Sequence, residues 1–142
     1  MSILGIKEII EISKPRIVVL LVITAVTSMY AASKLIGPEL DTWGLIHIII
    51  AGGLASAGSS ALNHYYDRDI DPLMERTRIR PIPSGRIKPN SVLIYGLSVS
   101  VISVVYGAIT LNYISAFFIA LGIFFYVIIY TAWLKRLNAS NI

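Results

Sequence analysis

Three long stretches without a single charged side chain limit this chain to very few folds. Residues 17–33, 42–66 and 89–134 contain no Asp, Glu, Lys or Arg. A helix crossing the hydrocarbon of a bilayer needs about 20 apolar residues. The first two runs are each long enough for one crossing, and the third for two with a turn between them. The spacing therefore predicts an all-α membrane protein with four transmembrane helices, at about 15–35, 43–67, 91–111 and 113–134. With only 14% charged residues in 142, too little polar surface exists to clothe a soluble bundle.

Local signals refine these spans. Pro15 suits the first turn of a helix, where its missing amide hydrogen is not needed, and Gly37-Pro38 ends the first span. The second span is rich in Gly, Ala and Ser from Gly52 to Ala61, which lets helices approach closely in lipid and marks it as the packed, interior helix. Asn90 or Ser91 can cap the third span, and Asn112 marks the turn into the fourth. Trp43 and Trp133 fit the two membrane interfaces. Residues 3–12, with Ile3, Leu4, Ile6, Ile9, Ile10 and Ile12 around Lys7, Glu8 and Glu11, read as a weakly amphipathic interfacial helix. The start of the chain lacks the pattern of a cleaved signal peptide, so the first helix is expected to be retained.

The formal charge of +4 follows topology rather than pointing to nucleic acid. Lys7, Lys14 and Arg16 precede span one; Arg68, Arg76, Arg78, Arg80, Arg86 and Lys88 fall between spans two and three; Lys135 and Arg136 follow span four. The other loops hold Lys34 against Glu39 and Asp41, or no charge at all. The positive-inside rule then puts both termini and the loop 68–90 on the cytoplasmic side of the cell membrane. Cysteine is absent, which excludes thiolate catalysis and cysteine-held cofactors.

The chemistry concentrates in Asn63-His64-Tyr65-Tyr66-Asp67-Arg68-Asp69-Ile70-Asp71 and the arginines after it. On a continuous helix, Asn63, Asp67 and Asp71 recur every four residues and share a face. Two carboxylates and an amide oxygen form a hard-oxygen set suited to Mg²⁺, with water and substrate phosphate completing the shell. Pro72 interrupts that helix, so Asp71 can instead cap a new turn. Asp67 has the alternative of a salt bridge, and Asn63 that of an interhelical hydrogen bond. His64 and the tyrosines read as packing residues. Arg76, Arg80 and Arg86 suit a diphosphate, whose oxygens pair with the guanidinium fork; headgroup contact or cytoplasmic retention is the rival role for each. Pro81, Pro83 and Gly85 restrain this loop, which invites a lid role over residues 72–90. Lys14 and Arg16 lie at the same face and can supplement the site, as can Lys135 and Arg136.

These residues resemble the UbiA-type intramembrane prenyltransferases. Asn63-x-x-x-Asp67-x-x-x-Asp71 is similar to that family's first aspartate-rich motif. Met74, Arg76-Thr77, Arg80-Pro81, Pro83-Ser84-Gly85-Arg86, Lys14-Pro15-Arg16-Ile17 and Tyr130-Thr131-x-Trp133-Leu134-Lys135-Arg136 resemble its haem-farnesylating branch. The resemblance implies a two-halved helical bundle in which Asn63, Asp67 and Asp71 ligate Mg²⁺ and diphosphate, with Arg76 and Arg80 as loop contacts. It implies transfer of a farnesyl group from farnesyl diphosphate to a vinyl group of protohaem IX, giving haem O. No acidic residue follows Glu75, so the family's second aspartate motif is missing. The chain is expected to be the N-terminal half of a larger bundle, a partial domain over 1–142, inactive alone. Prenyl transfer to a quinone precursor or other lipid, and a non-catalytic membrane subunit, are the alternatives. An alcohol phosphatidyltransferase is disfavoured by the absence of its aspartate–glycine–alanine–arginine pattern.

Overall fold

The computed structural model describes residues 5–36 and 41–137. Gly37-Pro38, Glu39, Ile3, Leu4 and the last five residues lie outside these, so the expectations placed on them are not addressed. Among the described residues every regular element is a helix, and there are no strands. Helix α1 is Ile6–Ser13, α2 Pro15–Ile36, α3 Thr42–Tyr66, α4 Pro89–Thr110 and α5 Tyr113–Phe124. From α5 the helix runs on without interruption as a wider π-helical stretch, Phe125–Leu134, and a last turn, Lys135–Leu137. Four of these helical segments are long and apolar enough to cross a membrane: Pro15–Leu35, Thr42–Asp69, Pro89–Thr110 and Tyr113–Leu134. The protein is a multi-pass membrane protein.

Helix α3 is the hub. Its inner half is buried from Gly58 to His64, as its small side chains predict, whereas none of the apolar window of α2 is buried. The α3–α4 crossing is close enough that a Cβ on Gly58 would lie 2.8 Å from the backbone nitrogen of Ser100 and 3.1 Å from the Gly96 carbonyl oxygen. Only hydrogen fits there, and this contact holds the hairpin together in lipid, where close packing replaces the hydrophobic effect.

The helix ends show where local chemistry decides. Asp41 caps α3 by accepting from the amides of Trp43 and Gly44 at 3.1 and 3.0 Å. Asn112 caps α5 through Ser115 at 2.7 Å. The cap expected at Asn90 or Ser91 is corrected: α4 starts at Pro89 after Lys88, with no side-chain cap bond. Proline needs no amide partner in the first turn, so the helix begins earlier. Between α1 and α2, Lys14 takes a left-handed conformation (φ 49°, ψ 66°). This bend lets α1 fold back against α3, with Ile12 fully buried among Ala61, Ile82, Ile87 and Val92.

Helix α3 does not continue to Asp71. It ends at Tyr66 and is followed by two single 3₁₀ turns, Asp67–Asp69 and Asp71–Leu73. Pro72 is the physical cause, because its ring excludes an α-helical partner four residues upstream. Residues 74–88 then form successive turns closed by their own backbone bonds, among them Thr77 and Arg78 to Met74, Ser84 to Arg80 and Ile87 to Pro81. Gly85 sits at φ 73°, a conformation that glycine adopts without steric penalty. Pro81, Ile82 and Ile87 are buried beneath α1, so the loop is a packed element of the structure.

Candidate active site

Where α3 ends, four separate segments of the chain meet. Asp67 is fully buried and Asp71 is 1% exposed. The Asp71 carboxylate accepts from one Arg80 nitrogen at 2.8 and 2.9 Å, and its carbonyl accepts from the Thr77 hydroxyl at 2.9 Å. The same Arg80 nitrogen lies 3.8 Å from Oδ2 of Asp67. Lys135, from the turn after the π-helical stretch, donates to that Oδ2 at 2.6 Å. Asn63 donates to it at 3.0 Å through Nδ2, and its Oδ1 accepts from Lys14 at 2.7 Å. The carboxylates are therefore joined through Arg80 and the folded loop, not by helical periodicity.

The cluster has three cations, Lys14, Arg80 and Lys135, against two carboxylates. Burying charge is tolerated only where partners are close, and here one positive charge is left over. Burial, with the like charge of Arg80 second, lowers the Lys14 ammonium to about 8. Burial also raises Asp71 above the usual carboxylate range, opposed by its hydrogen bonds from Arg80. A negatively charged guest would relieve the surplus. One carboxylate oxygen, Asp67 Oδ1, is buried without a hydrogen-bond partner among the described residues. No group of three or more His, Cys, Asp or Glu forms a metal cage among them. Two carboxylates and an amide oxygen with an unpartnered lone pair fit a hard divalent cation that takes its remaining ligands from phosphate and water.

The residues expected in a site are divided by the structure. Asn63, Asp67, Asp71, Arg80 and Lys14 come together. Arg76 and Arg16 are exposed. Arg86 faces away and clamps Glu11 of α1 with two bonds, at 2.8 and 2.9 Å. Asp69 pairs with Arg136 at the surface. Lys135, expected at this face, joins the cluster, and with it Thr131, which is not expected there; both come from 68 residues further along. His64 is 3% exposed, with both ring nitrogens unpartnered among the described residues.

Beside the cluster, α2, α3 and α5 enclose an apolar cleft of about 370 Å³, lined by residues such as Ile17, Leu21, Ser60, Phe118, Ile123 and Tyr126. Residues 20–142 match the UbiA prenyltransferase family, and the chain belongs to it. It is 67% identical over 98% of its length to Protoheme IX farnesyltransferase 1 of Cenarchaeum symbiosum. It is 43% identical over 97% to Protoheme IX farnesyltransferase of Bartonella tribocorum, and 46% over 97% to that of Agrobacterium fabrum. The chain spans 48%, 43% and 42% of those relatives, about half of each. No solved structure matches it.

Proposed function

We propose that this chain supplies the first aspartate-rich half of a haem farnesyltransferase, which moves farnesyl from farnesyl diphosphate to a vinyl group of protohaem IX. The observation that carries this reading is the buried cluster of Asp67, Asp71, Arg80, Lys135 and Lys14 at one end of an apolar cleft. The names of the relatives supply the acceptor. Arg80, Lys135 and Lys14 hold the diphosphate oxygens, Arg80 and Lys135 exchanging carboxylate partners for phosphate and Lys14 its amide partner. Asp67, Asp71 and Asn63 would hold Mg²⁺, which would supply neutralisation of the departing diphosphate. Fixed charges that compensate a leaving group in a dry site are the largest lever such a catalyst has. The cleft shelters the farnesyl chain and keeps water from the electron-poor allylic carbon. The haem vinyl group attacks that carbon as its C–O bond to diphosphate breaks, and water then adds to the cation left on the former vinyl group, losing a proton to give the hydroxyl of haem O. Both termini and the charged end face the cytoplasm, as the placement of basic residues favours. The rest of the acidic ligand set comes from a further half.

Haem O formation from the two substrates tests this, with the chain alone and with the chain joined in frame to a C-terminal half like that of the Cenarchaeum relative. The joined protein is expected to turn over and the chain alone to be silent. Activity from the chain alone overturns the half-enzyme reading. Prenylation of a quinone precursor in preference to haem overturns the acceptor.

A further inference from the structure

Thr131 is fully buried and lies within the π-helical stretch Phe125–Leu134. Such turns are rare and gather at functional positions. The Thr131 hydroxyl donates to the carbonyl oxygen of Tyr126, five residues earlier, at 2.8 Å. That bond commits its only hydrogen, so towards any other neighbour Thr131 is an acceptor. The neighbour is Asn63, whose Nδ2 donates to the Thr131 oxygen at 3.2 Å and to Asp67 Oδ2 at 3.0 Å. Both amide hydrogens are thereby engaged, and Oδ1 points to Lys14 at 2.7 Å.

The two ends of a carboxamide differ little in shape, so hydrogen bonds select its orientation. Asp67 Oδ2 is a shared acceptor, already taken by Lys135 at 2.6 Å. A cation drawing on Asp67 weakens its hold on Nδ2, whereas Thr131 keeps its own. We propose that Thr131 is a positioning residue that keeps the Asn63 amide oxygen facing the cation side of the mouth. This rests on the reading of Asn63 as a ligand to a divalent cation. A reversed amide would present N–H to the cation and oxygen to a carboxylate, unfavourable at both ends.

The test is Mn²⁺ titration by electron paramagnetic resonance of the detergent-purified joined protein and its variants. Loss of an outer hydrogen-bond partner lowers metal affinity about tenfold or more. Thr131→Val is expected to weaken Mn²⁺ binding by that factor, and Thr131→Ser to restore it. In an Asn63→Asp background both ends are oxygen, nothing needs orienting, and Thr131→Val should add little. Equal losses in both backgrounds, or no loss in either, overturn the positioning role. Unchanged affinity in Asn63→Ala, or no Mn²⁺ uptake by the unaltered joined protein, instead removes the ligand reading and the inference with it.

Discussion

The two ends of the bundle are built by different rules. At the end carrying Asp41 and Asn112, side chains bond to amides two or three residues away, and the one longer link among the described residues is His47 to Tyr106 at 2.7 Å. At the other end, Lys14 reaches Asn63, Lys135 reaches Asp67, Arg86 reaches Glu11 and Arg136 reaches Asp69, joining segments 49 to 75 residues apart. Local caps start helices; distant ion pairs assemble a place for chemistry. The second kind is the more expensive arrangement in a membrane, because each buried charge depends on partners that only the finished fold supplies.

The contrast can be broken most severely at its centre. Asp67→Asn with Asp71→Asn in the joined protein is expected to reduce haem O formation about a hundredfold or more, the scale on which fixed transition-state charge acts; turnover at the unaltered rate would remove the site. Arg80→Ala leaves two buried carboxylates short of their shared partner. Thermal unfolding in detergent should show a loss of about 3 kcal/mol. Asp41→Ala, at the opposite end, should remove only a helix cap worth about 1 kcal/mol and leave diphosphate binding unchanged. A larger loss there than from Arg80→Ala would reverse the comparison. Glu11→Gln breaks a half-exposed pair with Arg86 and should cost about 0.5 kcal/mol or less, diminishing further in high salt.

The same division separates what the sequence makes legible from what it hides. The spans are readable because lipid tolerates no charge, and the crowded α3 because glycine and serine have no other purpose there. Asn112 is readable as a boundary for the same reason as any cap, its bond being local. The approach of Arg80 to both carboxylates is not, since it depends on the path of the loop after Pro72. That proline signals a break without specifying where the chain goes next. The carboxylate of Asp71, available to cap the following turn, goes to Arg80 instead. Lys135 is legible as a basic residue at the same face, but its bond to Asp67 and the place of Thr131 depend on the π-helical stretch that begins at Phe125.

Lys14 has one more consequence. The backbone there is in a region where glycine rests easily and a side chain is crowded by its own carbonyl, at about 1 kcal/mol. Substituting glycine would relax the joint and delete the ammonium in one stroke. Because the bend and the charge are one residue, the amphipathic arm cannot swing away from the bundle without pulling a cation out of the mouth. Whatever tugs on the surface-lying arm, such as a thicker bilayer or an added N-terminal tag, is felt at the binding end as a change of charge.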